Sequence, residues 1–558
     1  MGHKINQLKN NSSFCTLAWT GMSVSPTGTL TPCCLMESAI KINGRDARIY
    51  QDSIEEYYNS DFMVDIRKKM LAGEKINACR QCYQNEAYGG VSLRTRANHE
   101  QEEIIEDYGI DKNYFPRSLD LKINNKCNLK CRMCQPKDSN LIHQEFKQII
   151  SQDEMFQAFE NTKLYDAESL IDLSEIPDWG KSKNFYATID RILPGLRKIS
   201  LVGGEPLIVD EVYQLLDYII EQGYAKKMYI CVTTNFMRFD SEKLEKYFRE
   251  FRKVLILVSL DAINSELNYI RYPSQFKRID QNIQHIASIS KTNPNISFSL
   301  ALTIQAYNAL YIADILDYTE SLIKKGVEFR ITPISFTYLS YPEHLSLKVL
   351  PKTTKKKAIE KLEQFKQNST LYNKDTQYTK GINQIIGILS ETAPENLTKL
   401  QENFLYYTQQ LDKSRGQRFQ DFLPELFDDF SQLQLRPKSP AMQPALLREK
   451  GWMLSKKGAI KEAIQLFEKS LEASGPNALD LRELAWMYLS LGQNQKALDS
   501  YTKAYSLNSK DVYIVTGYAN CLLSLQKLIE AKRIVEEHKQ EFAHDERFQD
   551  ILIKIEKL

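Results

Sequence analysis

The sequence has almost no charge of one sign in excess: 73 basic and 71 acidic residues leave a net charge of +2. Such a balance provides no broad field to attract nucleic acid or an anionic surface, so neither a nucleic-acid nor a membrane partner is expected. Long apolar runs are missing too. No stretch of 18 apolar residues occurs, which argues against a helical membrane span. The first residues, MGHKINQLKNNSS, lack the apolar centre of a signal peptide, so the expected compartment is the cytoplasm. Histidine is scarce, with seven residues scattered at 3, 99, 143, 285, 344, 538 and 544. None reads as a ligand; each is expected on the surface or in the core. Beyond residue 134 cysteine nearly vanishes, leaving only Cys231 and Cys521.

What is present is an ordinary globular composition, 42% hydrophobic and 26% charged, able to bury a large core. At 558 residues the chain has room for three or four units. The remaining eight cysteines crowd into the first 134 residues: Cys15, Cys33, Cys34, Cys79, Cys82, Cys127, Cys131 and Cys134. A reducing compartment does not favour disulfides, so clustered thiols there point to metal binding or redox chemistry.

The C-terminal part repeats. Gly451, Ala485 and Ala519 fall 34 residues apart, as do Ala463, Ala497 and Ala531, and the bulky Phe467, Tyr501 and Val535. Small residues where two helices cross, beside one large residue, resemble tetratricopeptide (TPR) repeats, here over 445–558. The alternative is a generic helical bundle. The proline-rich stretch 435–444 reads as a linker. The middle alternates strands and helices. Strands are expected at 118–124, 197–202, 227–233, 254–260, 296–304 and 327–334, apolar enough for a parallel sheet covered on both faces. Between them Val212, Leu215, Leu216 and Ile219 make a helical stripe. Six strands with mostly helical connections give an open (β/α)6 partial TIM barrel over 115–345, with its site at the strands' C-terminal ends. Residues 346–434 read as a helical extension in which no chemistry is visible. The segment MSVSPTGTLTPCC carries a hairpin signal, within a small cysteine-rich module over 10–100.

Directly after the first barrel strand comes Cys127-Asn-Leu-Lys-Cys131-Arg-Met-Cys134. One loop can wrap three such close thiolates around one cluster. A [4Fe–4S] cube is filled by four cysteines, so three leave one iron open, as a reactive site requires. A zinc site is the alternative, although zinc usually takes paired C-x2-C with a fourth ligand. The loop resembles the defining motif of the radical S-adenosylmethionine (SAM) superfamily. That resemblance implies a [4Fe–4S] cluster whose open iron chelates SAM. It implies reductive cleavage of SAM to a 5′-deoxyadenosyl radical, which takes a hydrogen atom from a substrate, and an electron donor such as flavodoxin or ferredoxin. Gly203-Gly204-Glu205-Pro206, closing the second strand, resembles the superfamily motif that holds the SAM amino group. By the same resemblance Ser259, and Asn235 or Asp261, face the ribose or carboxylate. Arg271, in YIRYP, resembles an arginine that pairs with that carboxylate. Gln305 and Asn308 are weaker candidates. Cys231 shares a strand face with Thr233 and Asn235; it reads as a packing residue, with hydrogen donation to a radical as the alternative.

Cys15, Cys33, Cys79 and Cys82 follow a second pattern: a lone cysteine, a hairpin ending in Pro-Cys, then C-x2-C. With FCTLAW, GTLTPCC, CRQCYQNEAYGGVSLR, NNKCNLKCRMC and SLVGGEPL, it resembles twitch-domain radical SAM proteins of the SPASM/twitch group over roughly residues 10–430. The resemblance implies a second, auxiliary [4Fe–4S] cluster; zinc on the same thiols is the alternative. Either Cys33 or Cys34 could ligate, and resemblance favours Cys33. The expected fold is therefore α/β: a twitch module, an open partial barrel and an all-α TPR solenoid. The expected activity is hydrogen abstraction from a peptide or protein side chain brought by the TPR region. Oxidation of a sugar or small metabolite, with the TPR used for assembly, is one rival; a TPR scaffold carrying a degenerate barrel is the other.

Overall fold

The computed structural model describes residues 11–36, 38–87, 89–100, 116–152, 176–433, 447–448, 451–452, 454–455, 458–543 and 545–556. The expected linker at 435–444, and residues 10, 115, 445 and 446 at the outer limits of the expected units, lie outside them. The chain divides into two compact units, one holding 1–152 and 162–434, the other 153–161 and 435–558.

The first unit is built on one eight-stranded sheet. Its strands are β1 (Gly21–Val24), β2 (Leu30–Thr31), β3 (Ser118–Leu121), β4 (Lys198–Leu201), β5 (Tyr229–Thr234), β6 (Lys253–Ser259), β7 (Ile296–Ile304) and β8 (Ile334–Tyr338), in the spatial order β8-β7-β6-β5-β4-β3-β1-β2. From β3 to β8 neighbouring strands are parallel and follow chain order, the winding of a (β/α)6 unit in an α/β fold. Each strand repeats by two. Leu119 and Leu121, Ile199 and Leu201, and Val254, Ile256 and Val258 are buried, while the alternate residues stay half exposed on β3, β4 and most of β6. Burial on both faces is thus incomplete: the outer face is covered and the lumen of the open sheet remains accessible. The helical stripe holds, with Val212, Leu215, Leu216 and Ile219 all buried on Asp210–Glu221.

Two features depart from expectation. The last strand begins at Ile334, not 327. Pro333 has no N–H for a ladder; its carbonyl accepts from Leu300 N at 2.9 Å, and pairing starts at the next residue. The N-terminal hairpin also joins the barrel sheet: β1 pairs parallel with β3, Gly21 opposite Ser118 through Val24 opposite Leu121. The turn between β1 and β2 closes through Gly28 at φ +77°, a conformation natural to glycine.

The second unit is helical: Ile460–Ser474, Ala478–Ser490, Asn494–Leu507, Val512–Ser524, Leu528–His538 and Glu546–Glu556. The repeat positions behave as their size requires. Ala463, Ala485, Ala497, Ala519 and Ala531 are fully buried, and a Cβ on Gly451 would lie 2.7 Å from the Phe467 ring. No described helix is long and apolar enough to cross a membrane.

Candidate functional site

The three-cysteine loop leaves the C-terminal end of β3, and its Lys130–Cys131 segment pairs antiparallel with Arg271–Tyr272. Cys127 N donates to Asn140 Oδ1 at 2.8 Å, and Cys134 N to Cys131 O at 3.1 Å, so the backbone turns the thiols together. A hydrogen bond from Cys134 holds the Cys131 thiol below its usual pKa, helped by the Arg271 charge, and pushes the Cys134 thiol up. Burial pushes Cys127 up to about 12. Bound iron would stabilise these thiolates directly.

The Gly203-Gly204-Glu205 turn lies against the loop. Gly203 and Gly204 have φ +80° and +53°, and a Cβ on Gly204 would stand 2.2 Å from Lys126 O. Only glycine permits both the conformation and the approach. Glu205 is fully buried and accepts three hydrogen bonds: from Thr234 Oγ1 at 2.7 Å, Asn235 N at 2.7 Å and Leu207 N at 3.1 Å. Burial pushes its carboxyl up to about 7. Asn235 bridges to the loop, its Nδ2 donating to Asn128 Oδ1 at 2.8 Å. Asp261, Arg271, Gln305 and Asn308 form one network. Arg271 Nε donates to Asp261 Oδ2 at 2.7 Å, and Arg271 Nη1 reaches within 3.9 Å of Cys131 Sγ. Thr303 N donates to Asp261 Oδ1 at 2.8 Å, and Asn308 Nδ2 to Asp261 O at 3.0 Å. Arg271 thus lies beside a loop thiol, paired with an internal carboxylate. Ser259 is buried, and its hydroxyl has no partner among the described residues. Gln305 Oε1 is buried without a hydrogen bond. Three neighbouring thiols on one loop, with an unpaired buried amide oxygen and a free hydroxyl on the same strand-end rim, suit a cluster bound together with a polar ligand.

Residues invisible to sequence reasoning hold the loop from beneath. Arg132, between two of the cysteines, is fully buried. Its guanidinium lies 3.5 Å from the Tyr269 ring centre, donates from Nε to Tyr269 O at 2.8 Å and pairs with Asp412. Tyr407 donates to Arg132 O at 2.8 Å. Glu145, behind the loop, forms a buried pair with Arg415, Nη2 to Oε2 2.7 Å. The helical extension therefore supports the site. Nothing local in the sequence marks these partners: Tyr269 lies 137 residues from Arg132 and Asp412 lies 280.

Cys15, Cys33, Cys79 and Cys82 line a single pocket with Leu17, Met36, Met70, Tyr83 and Arg94. Burial pushes Cys15 up to about 12 and Cys79 up to about 11, and raises Cys33 and Cys82. Arg94, bound to Glu86 and to Phe14 O at 2.8 Å, places a positive charge in the wall. Cys34 points elsewhere, toward Asp120 and Lys122. Among the described residues no group of His, Cys, Asp or Glu converges on a single-ion position. Four thiols lining one pocket match the ligand count of a fully ligated cluster. Cys231 is buried on β5.

The fold is an open parallel α/β sheet carrying two groups of thiols, with a helical-repeat unit. Comparison with known families places it further. The chain matches the Radical SAM superfamily over residues 121–318, the SPASM iron–sulfur cluster-binding domain over 15–83 and a tetratricopeptide repeat family over 488–555. It therefore carries a radical SAM domain, a SPASM/twitch domain and TPR repeats. These domains imply a [4Fe–4S] cluster with SAM and an auxiliary iron–sulfur cluster. Among curated proteins it is similar to Molybdenum cofactor biosynthesis protein 1 of Dictyostelium discoideum, 25% identical over 214 residues, covering 38% of this chain and 28% of that protein. It is also similar to the Protein CTR9 homolog of Arabidopsis thaliana, 36% identical over 74 residues, covering 13% of this chain and 7% of that one. The chain thus spans less than a third of either relative. Among solved structures, native anSMEcpe with bound AdoMet and Cp18Cys peptide matches 45% of this chain and 60% of its own, at 16% identity and a TM-score of 0.27. The second TPR domain of the human RPAP3 protein in complex with an HSP70 peptide matches 22% of this chain and all of its own, at 26% identity and a TM-score of 0.21.

Proposed function

We propose that this protein is a radical SAM enzyme acting on a peptide or protein side chain presented with the help of its TPR unit. The observation that carries the reading is the three-thiol loop at the strand-end rim, packed against the Gly203-Gly204-Glu205 turn. When bound, the cluster and SAM supply one-electron cleavage of the sulfonium and hydrogen-atom abstraction, with the electron drawn from a flavodoxin or ferredoxin. In this reading Cys127, Cys131 and Cys134 hold the reactive cluster. Arg271, oriented by Asp261, puts positive charge beside Cys131 and favours its thiolate. Gly203 and Gly204 let backbone approach the ligand, and Glu205, fixed by Thr234 and Asn235, meets the amino group. Ser259 and Gln305 offer free polar atoms to the rest of SAM. Cys15, Cys33, Cys79 and Cys82 hold the auxiliary cluster, for electron relay or site shaping. The peptide preference rests on the TPR family, whose members generally bind peptides or proteins, and on the aromatic groove of this unit, where Trp486 and Tyr513 are half exposed.

The test is anaerobic reconstitution with iron and sulfide, addition of SAM and dithionite, and quantification of 5′-deoxyadenosine. Cys131→Ala is expected to abolish it. Cys79→Ala is expected to keep some SAM cleavage but lose product. Zinc in place of iron in anaerobically purified protein, or full cleavage by Cys131→Ala, would overturn the reading.

A further inference from the structure

A second concave site lies at the other end of the barrel, unused by the chemistry above. Where the strands begin, a well of 1280 Å³ opens, large enough for a small organic ligand. Four consecutive parallel strands bring cations to its rim: Arg117 just before β3, Arg197 and Lys198 at β4, Lys227 before β5, and Arg252 and Lys253 at β6. The wall behind them is mixed: Leu255, Leu257 and Ile331 form an apolar patch beside the Cys231 thiol, with Ser299, Thr332 and Ser335 next to it.

Among the described residues the lining holds two acids, Glu100 and Asp375, and both are engaged. Glu100 pairs with Lys198 Nζ at 2.8 Å. Asp375 Oδ1 caps the helix Thr376–Leu389, accepting from Tyr378 N at 2.8 Å. Arg117, Lys227 and Arg252 have no carboxylate partner among the described residues. In a chain of net charge +2 this concentration does not follow from composition. Like charges gathered on one rim repel one another, and a bound anion relieves that repulsion. Adjacent Arg–Lys pairs, a planar fork beside a point charge, match a multiply charged tetrahedral oxyanion. The partly exposed Leu255 and Leu257 offer burial to an apolar body.

We propose that this well binds a small organic phosphate, its anionic head on the Arg252–Lys253 and Arg197–Lys198 rim and its apolar body against Leu255 and Leu257. The site is separate from the cysteine loop, which leaves the opposite ends of the strands, and does not depend on the radical reading.

The test is calorimetric titration of the full-length chain with pyrophosphate and with geranyl pyrophosphate near physiological salt. Geranyl pyrophosphate is expected to bind at least about tenfold tighter than pyrophosphate. Arg252→Gln/Lys253→Gln is expected to weaken both by about tenfold or more, and Leu257→Asn to weaken only the geranyl compound. Arg117→Gln/Lys227→Gln serves as a second charge variant should the first fail to fold, judged by thermal unfolding. 5′-Deoxyadenosine formation should be unchanged in the charge variants, which separates this result from failure of the radical chemistry. Absence of saturable binding, equal affinity in wild type and both charge variants, or tighter binding of polyglutamate than of either phosphate overturns the proposal.

Discussion

Arg132 illustrates how one buried charge fixes a flexible loop. It sits between Cys131 and Cys134, stacked on Tyr269, with Asp412 as its carboxylate partner. Asp412 also accepts from Tyr269 Oη at 2.9 Å and Phe419 N at 2.7 Å, so removing it strands those two donors and leaves Arg132 Nη2 only Gln417 Oε1, at 3.1 Å, in place of a carboxylate. Breaking a buried pair from one side costs about 3–5 kcal/mol, because the remaining charge stays desolvated. Asp412→Leu is expected to lower unfolding free energy by about that much and to reduce iron retained after gel filtration. The double variant Arg132→Met/Asp412→Leu should recover most of the stability but not the iron, since packing then replaces charge without restoring the loop's geometry. A second residue-scale effect concerns pH. His344 is buried edge-on to Tyr407, ring centres 4.9 Å apart, with Nε2 unpartnered, and burial pushes its pKa down to about 3. It stays neutral in the fold, while in the unfolded chain it takes a proton near its ordinary value of about 6.5. The unfolded state then binds more protons between those values, so stability is complete above pH 6.5 and declines as pH falls, by up to about 1.4 kcal/mol per unit. His344→Phe should flatten that slope in denaturant titrations between pH 4 and 6.5; an unchanged difference between the two proteins across this range would refute the assignment.

At the scale of elements, the junction of β1 with β3 joins the auxiliary thiol site to the barrel. Gly21 opens β1 under tight contact: a Cβ there would lie 2.3 Å from Pro32 O and 2.8 Å from Leu17 O. Pro32 immediately precedes Cys33, and Tyr58 anchors Gly21 O from the other side at 2.8 Å. Gly21→Val is expected to displace the Pro32–Cys33 corner and release about half the bound iron, one of two four-iron clusters, while 5′-deoxyadenosine formation persists. Loss of all iron would mean that the two sites fold as one. The same junction shows what was readable in advance. The hairpin, the C-x3-C-x2-C loop and the Gly203-Gly204 turn are local patterns, and each element forms where its residues indicate. The parallel pairing of β1 was not readable, because a four-residue strand carries no periodicity that names a partner almost a hundred residues away. The final strand was set too early because Val327, Phe329 and Ile331 alternate like a strand up to Pro333, whose missing N–H moves the ladder to Ile334. The clamp from Asp412 and Arg415 was hidden for a similar reason: lysine- and glutamine-rich helices read as generic surface, and only tertiary contact shows which charges turn inward.

At the scale of the whole molecule, the question is what the TPR unit does for the chemistry. That unit has its own core around Phe467, Tyr488, Tyr501, Val515 and Phe548, so its removal need not expose the barrel's interior. Its groove displays Trp452, Trp486 and Tyr513 at 38%, 50% and 51% exposure, with the Arg547 guanidinium 4.0 Å from the Tyr513 ring centre. Half-exposed aromatics beside an arginine are the residue types that dominate binding hot spots. If the groove recruits substrate at a distance from the reacting carbon, its binding energy is the same in ground and transition states. Losing it raises KM and leaves kcat in place. A chain ending at residue 440 is therefore expected to keep 5′-deoxyadenosine formation and kcat on peptide while KM rises by about tenfold or more. Trp486→Ala should reproduce part of that rise within the intact chain. Assembly predicts the opposite division: truncation would change oligomeric mass without moving KM, and Trp486→Ala would do nothing. The contrast between KM and kcat, rather than loss of turnover alone, decides between recruitment and assembly, because a damaged barrel would lower kcat and SAM cleavage together.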